Sequence, residues 1–518
     1  MAEQFLRLPE LRLLFLECID RDTATLASLC RVNKALHSLF KSLLYECVSF
    51  PPASKHFLSR TANVPDHGTQ RWALTKSLFV SRIDDLGSPE TPFAPHGLNK
   101  GLLNILQHTS NLESYCSTGA DMSHNVMDQL SKTPTLRRIR ISFGSQEAIG
   151  ISCCERDDPP EVWAKHGPLF GRPQLHLRAL SNLTSLALVE MFGDLPPWQE
   201  AIANILSQSP NLQSLIISLN LATYERALTL DSGPHQLQTF TDGLCDIYAT
   251  KTKHRLRLKR LRLDAYIYCP SLECIEKVLD LSALEEVFIF NQILQFLHFE
   301  TRIEFLLAEK TPALRKLEFE DFNAEVWEKI ESFCDGSRDF MLSFACYNVY
   351  DENFDDEHNL YSLFQKHPSA VIYELGLPVW DGAESYVSTL DQLHGQILLR
   401  NLSLPLSVPE LVVDGSAELE GCVALVATLP NLQGLFLLSY DWREYPAENY
   451  ASAVLKIATS SSSLLYIRLD RLSWKIHRAT EISIVALTES EDRAVAPELF
   501  YLWSPIYEEE YLPSTRAI

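Results

Sequence analysis

Glycine is scarce in this sequence, with 19 in 518 residues, and the glycine-built motifs are missing altogether. There is no Walker phosphate loop, no Gly-x-Gly-x-x-Gly turn after a strand, no Gly-x-Ser-x-Gly and no His-Glu-x-x-His. The fifteen histidines are scattered, and lone ones such as His124, His298 and His394 read as surface or hydrogen-bonded core residues. Catalysis therefore has no constellation to stand on, and neither an enzymatic activity nor a cofactor is expected. A stretch of about eighteen apolar residues without charge, the minimum for a spanning helix, is also lacking. The N-terminal apolar stretch is interrupted by Arg7, Glu10, Arg12 and Glu17, which excludes the hydrophobic region of a secretion signal. Basic excess is absent too: 67 acids face 45 bases, for a net charge of −22. That balance opposes a protein whose main task is to neutralise phosphates, so neither nucleic acid nor membrane is expected as a partner. Cys153-Cys154 and the pair Cys269 and Cys274 have no matching second pair at zinc spacing, so no metal site is expected. With no secretory signal, the twelve cysteines read as reduced, in an intracellular protein, cytoplasmic or nuclear.

What the sequence does have is one recurring phrase. A helix-like apolar pattern runs into a small turn such as Ser-Pro-Asn or Thr-Pro-Ala and then into Leu-x-x-Leu-x-Leu. It occurs from Thr133, Ser209, Thr311 and Leu429, with weaker copies from Ser110, Ser181, Leu256, Ser282 and Ser462. Alternating apolar positions describe a half-buried strand, and the turn ends the helix before it. Helical spacing precedes the phrase at Ala201 to Gln208, Ile303 to Lys310 and Cys422 to Leu429. The spacings from Leu183 to Leu212, Leu258 to Leu284, Leu284 to Leu314 and Leu432 to Leu464 are 29, 26, 30 and 32 residues. The phrase and its spacing resemble leucine-rich repeats, over roughly residues 96–480. The usual ladder residue departs from that family: Asn220 fits, but Gly144, Phe322 and Tyr440 stand at the same place elsewhere. Residues 340–419 are the least legible, with strands expected at Phe340–Ala345, Ala370–Leu375, Gln396–Leu402 and Glu410–Val413.

Residues 5–50 read differently. Leu8-Pro9 stands at the mouth of a short helix. Leu26, Leu29, Val32, Leu36 and Leu39 follow at three- and four-residue spacing, and the segment ends in Leu43-Leu44-Tyr45-x-x-Val48. These residues resemble an F-box in its fungal form, although one residue is missing after Pro9 and Leu36 stands where many boxes carry Trp. The residues alone give short amphipathic helices whose apolar stripes exceed what so small a unit can hide. The resemblance implies docking on a Skp-type adaptor, and through it on a cullin, by Leu8, Pro9, Leu11, Leu14, Leu29, Val32 and Leu36.

The architecture expected from the sequence is thus α/β: a leucine-rich-repeat solenoid, an irregular horseshoe, preceded by a small all-helical F-box module. Its expected divisions are the module at 1–50, a linker and solenoid cap at 51–95, repeats at 96–480, and a C-terminal cap with an acidic tail at 481–518. On the concave side, residues between the buried leucines are expected to point outward as the binding face for a protein substrate. They are Arg138, Arg140, Arg260, Arg262, Phe288, Lys316, Phe436, Tyr466 and Arg468. The run Lys251 to Arg262 holds seven bases, but its alternation with leucines reads as a charged strand face rather than a nucleic-acid patch. Asp351, Asn353 and Asp355 imitate the start of a calcium loop, but Asp356 and Ser362 occupy the positions that need Gly and Glu. The expected function is a non-catalytic substrate adaptor of a Skp/cullin/F-box ubiquitin ligase. The alternative is a leucine-rich-repeat scaffold that binds proteins independently of ubiquitination.

Overall fold

Strands are interspersed with helices along the described residues of the computed structural model. The structure describes residues 23–50, 71–80, 95–118, 124–143, 177–191, 195–219, 239–264, 267, 269–290, 303–322, 332–333, 341–349, 371–376, 399–405, 416–438, 447–469, 472–478 and 482–487. The chain forms two compact units, which take their described residues from 1–258 with 264–279, and from 259–263 with 280–507.

In the first unit, β1 (Cys47–Phe50), β2 (Ser77–Val80), β3 (Ser114–Thr118), β4 (Arg138–Ser142), β5 (Ser185–Met191) and β6 (Ser214–Leu219) pair in chain order. All five pairings are parallel. The unit's helices among the described residues are α1 (Thr23–Val32), α2 (Lys34–Leu44), α3 (Pro95–His108), α4 (His124–Ser131), α5 (Leu195–Ser207), α6 (Phe240–Lys251) and α7 (Leu272–Val278). Parallel neighbours need crossover connections, and these are right-handed. Because the strand order never reverses, such crossovers put successive helices on one side of the sheet. Consecutive helices accordingly pack on each other, α3 on α4, α5 on α6 and α6 on α7. Among the described residues, with no reversal, there is also no topological switch point, the place where open α/β sheets form their ligand crevice.

In the second unit, β7 (Arg260–Asp264) lies beside β8 (Glu286–Phe290). The strands β9 (Lys316–Phe322), β10 (Met341–Val349), β11 (Val371–Gly376), β12 (Asn401–Pro405), β13 (Gly434–Leu438) and β14 (Tyr466–Leu469) follow in order. From β8 to β14 each pairing is parallel. Then β15 (Leu472–Arg478) and β16 (Ile482–Ala486) reverse to antiparallel. Helices α8 (Ala417–Thr428) and α9 (Ala447–Ser460) pack together. Arg478 ties the terminal hairpin to α9: its guanidinium donates to the carbonyls of Ala458, Ser461 and Leu464, which lie at or just past the helix end.

Three copies of the phrase share one local cause. The hydroxyls of Thr109, Thr133 and Thr311 donate back to the carbonyls of Leu106, Gln129 and Leu307, which ends the preceding turn. The N–H groups of Leu112, Leu136 and Leu314 then donate to the carbonyls of those same three threonines, and these leucines are buried. At the mouths of several strands, one carbonyl just ahead of the neighbouring strand accepts two successive N–H groups. Glu113 accepts from Arg137 and Arg138, Arg137 from Thr184 and Ser185, Glu285 from Arg315 and Lys316, and Gln433 from Leu465 and Tyr466. The strands bury both faces, as parallel strands do. Leu78, Tyr115, Ile139, Leu186 and Leu215 share one register row and are buried.

The expected architecture is corrected here. In place of a horseshoe solenoid behind a separate all-helical module, the described residues form a parallel α/β sheet with helices interspersed, and the sheet begins inside the segment read as helical. Cys47–Phe50 is its first strand and pairs with Ser77–Val80, which falls in the stretch read as linker and cap. Leucine spacing reports helix-to-strand junctions, which every parallel α/β fold shares; it does not encode curvature or a boundary between modules. The expected helix at Ile303 to Lys310 is likewise a series of turns, with Leu306 bonded to Ile303 and Lys310 to Leu307, although Ile303, Phe305 and Leu306 are buried.

Candidate docking surfaces

Two regions carry the residues singled out by sequence. The first is the helical pair α1 and α2. Asn33 separates them, with extended backbone at φ −159 and ψ 168, and its Oδ1 accepts from the Leu36 N–H at 2.8 Å. This is a side-chain N-cap, so the break between the helices is encoded by one residue. Leu26, Phe40 and Leu44 form the buried centre of the pair, and Leu29, Leu36, Leu43 and Tyr45 pack partly against it. Val32, at the last position of α1, is 66% exposed. Arg31 and Lys34 flank it along the chain, and no acid occurs between Thr23 and Tyr45. Of the residues implied for adaptor docking, Leu29 and Leu36 are half-buried and Val32 is open. Leu8, Pro9, Leu11 and Leu14 lie outside the described residues.

The second region is the sheet face expected to bind substrate. The structure brings its residues into shared register rows, but burial corrects the expectation that they project into solvent. Arg140 is 2% exposed, and Arg262, Phe288, Lys316, Phe436, Tyr466 and Arg468 are buried too; only Arg138 and Arg260 are half-buried. The reason is crowding. Neighbouring strands stand about 4.8 Å apart, so same-face side chains cover one another. Arg140 lies in register between Cys116 and Ala187, within a face that clusters Phe79, Cys116, Ala187, Val189 and Ile216. Lys316 Nζ stands 5.8 Å from the Phe288 ring centroid. The Phe436 and Tyr466 rings are 5.5 Å apart, and the Tyr466 hydroxyl donates to Ser473 Oγ at 2.9 Å.

Sequence reasoning did not pair these bases with the acids that answer them. Arg260 Nε is 3.0 Å from Glu286 Oε2, Lys259 Nζ is 3.0 Å from Glu285 Oε1, and Arg315 Nη2 is 2.9 Å from Glu285 Oε2. The hydrogen bond from Lys259, and then the charges of Lys259 and Arg315, hold the Glu285 carboxyl below its usual range. The signal was the adjacent pair Glu285-Glu286 opening β8, which is readable only once β7 is known to lie beside it. Also missed was a row of small hydroxyls, Ser77, Ser114, Ser185 and Ser214, which are register partners at the strand mouths with Arg138 among them.

Burial raises the thiols of Cys245 and Cys422, the latter to about 12, and pushes the Tyr248 phenol to about 12. A protonated thiol is a poor nucleophile and a poor metal ligand. Among the described residues, no three His, Cys, Asp or Glu side chains come together in a way that could hold a metal ion. Nor is any helix among them long and apolar enough to cross a membrane. His298, His394 and the acidic segment with Asp351, Asn353 and Asp355 lie outside the described residues. Comparison with protein-family models and with curated proteins found no match.

Proposed function

We propose that the chain is a non-catalytic adaptor whose N-terminal helices dock on a Skp-type adaptor, and through it on a cullin, while the sheet-bearing remainder holds a protein substrate for ubiquitination. One observation carries this reading: Val32 stands 66% exposed beside half-buried Leu29 and Leu36, while Leu26, Phe40 and Leu44 fill the helical pair's own centre. A large apolar side chain left open next to other partly open ones is an anchor for a partner's groove.

The test is co-purification of the full chain with a Skp adaptor and cullin. Binding is expected, with a loss of at least about tenfold in Val32→Asp, because an exposed position tolerates the change while a desolvated contact does not. A full chain that folds and fails to bind the Skp adaptor overturns the reading. A second reading, a protein-binding scaffold unrelated to ubiquitination, draws on one feature. Helix α2 ends at Leu44 and β1 begins at Cys47, so the helices run directly into the first described strand of the sheet.

A further inference from the structure

Six of the nine positions from Lys251 to Lys259 carry Lys, Arg or His, in a chain of net charge −22. The first unit fixes most of this segment rigidly. The Tyr248 hydroxyl donates to the His254 carbonyl at 2.7 Å, the His254 N–H donates to Thr252 Oγ1 at 3.1 Å, and the Leu256 N–H donates to the Val278 carbonyl at 2.7 Å. Leu256 bridges Leu279 in the parallel sense, and Leu256 and Leu258 are buried. Lys253, Arg255 and Arg257, at alternating positions, are exposed. Other bases of this unit meet acids: Lys76 stands 2.9 Å from Glu46, Lys251 2.7 Å from Glu200 and Lys277 2.9 Å from Asp246. Lys253 and Arg255 have no acidic partner among the described residues.

We propose that this row binds an extended acidic segment of a partner protein, carrying Asp or Glu at alternate positions. An extended chain repeats its side-chain direction every two residues, about 6.7 Å, so two such chains lying side by side match base to carboxylate step for step. Because the leucines anchor the row, few degrees of freedom are lost on binding. Nucleic acid fits less well. The segment exposes no Phe, Tyr or Trp on which a base could stack, and the field of the whole acidic chain repels a polyphosphate. The surface is separate from the N-terminal helices and does not depend on what they dock.

Fluorescence anisotropy on the full chain tests this, with a labelled peptide of about ten residues alternating Thr and Glu at about 50 mM salt, where surface charge is weakly screened. Binding is expected to weaken by at least about tenfold in Lys253→Glu with Arg255→Glu, and by a smaller factor in Lys253→Gln with Arg255→Gln. A Thr and Gln peptide should not bind. Lys132→Glu with Lys475→Glu makes the same change in net charge at exposed sites elsewhere and should leave binding within about twofold, since distant charges are screened. Three outcomes overturn the proposal: no binding of the Glu peptide by the unmodified chain, an equal loss in the Lys132 and Lys475 variant, or tighter binding of an oligothymidylate than of the peptide.

Discussion

One run of sequence, Lys251 to Arg262, meets two fates. Before Leu258 its bases stand exposed, with Lys253 and Arg255 unanswered by any acid among the described residues. After it, Lys259 faces Glu285 at 3.0 Å and Arg260 faces Glu286 at 3.0 Å, with Arg315 closing on both acids at 2.9 and 3.7 Å. The residues are of the same types, so composition does not separate the halves. What separates them is the neighbouring strand: β8 opens with two acids at the register of Lys259 and Arg260, which turns a basic strand face into a charge ladder. A basic run is a solvated face, a ladder or a docking row according to what register brings beside it.

The comparison breaks most sharply at the anchor of the exposed half. Leu256 is fully buried, and truncating it leaves a cavity beneath the row. Leu256→Ala is expected to lower unfolding free energy by about 2–5 kcal/mol, read from urea denaturation. An effect below about 1 kcal/mol would mean that the segment is not held by its leucines. In the paired half the corresponding test is Glu286, which is 8% exposed and stands among Arg260, Arg315 and Lys316. Glu286→Ala is expected to cost about 1–2 kcal/mol, because the half-buried Arg260 guanidinium loses the carboxylate beside it while Arg315 can turn to water.

Acid titration probes the ladder more gently. Glu285 has its folded pKa lowered, first by the hydrogen bond from Lys259. A depressed carboxylate contributes stability that is present above the unfolded value of about 4.3 and is lost as pH falls through the folded value. Glu285 is only partly buried, so the contribution is no more than about 1 kcal/mol once solvent screening is allowed for. Glu285→Gln should therefore be less stable than the unmodified chain at neutral pH and indistinguishable from it below the folded pKa. A difference that persists in acid would assign the effect to packing rather than charge.

Much of the strand pattern was legible in the sequence. Leu112, Leu136, Leu183, Leu212, Leu314, Leu432 and Leu464, picked out by the recurring phrase, are all buried just ahead of a strand. Strands expected at Phe340–Ala345 and Ala370–Leu375 overlap β10 and β11. Three things were not legible, each for a physical reason. Cys47–Phe50 is only four residues long and follows helix α2 without a break in apolar pattern, so period alone could not expose it. Ile303 to Lys310 has helical spacing, but burial of Ile303, Phe305 and Leu306 is achieved by turns, and periodicity does not distinguish the two over so short a run. The sheet-face residues were placed on the correct rows but read as open, because a single strand's pattern does not show how far Phe436 and Tyr466, or Lys316 and Phe288, cover each other across strands.

The smallest expected effect is the most discriminating. Lys253→Glu with Arg255→Glu should change folding stability by no more than about 0.5 kcal/mol, since both side chains are exposed and neither answers an acid among the described residues. Lys259→Glu makes half the change in charge, yet it sets a like charge against Glu285 and should cost about 1 kcal/mol, more at low salt than at high. Urea midpoints of the two variants at one salt concentration decide between a row held open for a partner and a face already neutralised from within. Were the double reversal the costlier of the two, Lys253 and Arg255 would be stabilising the fold, and an acidic ligand would have to displace their own partners before it could bind.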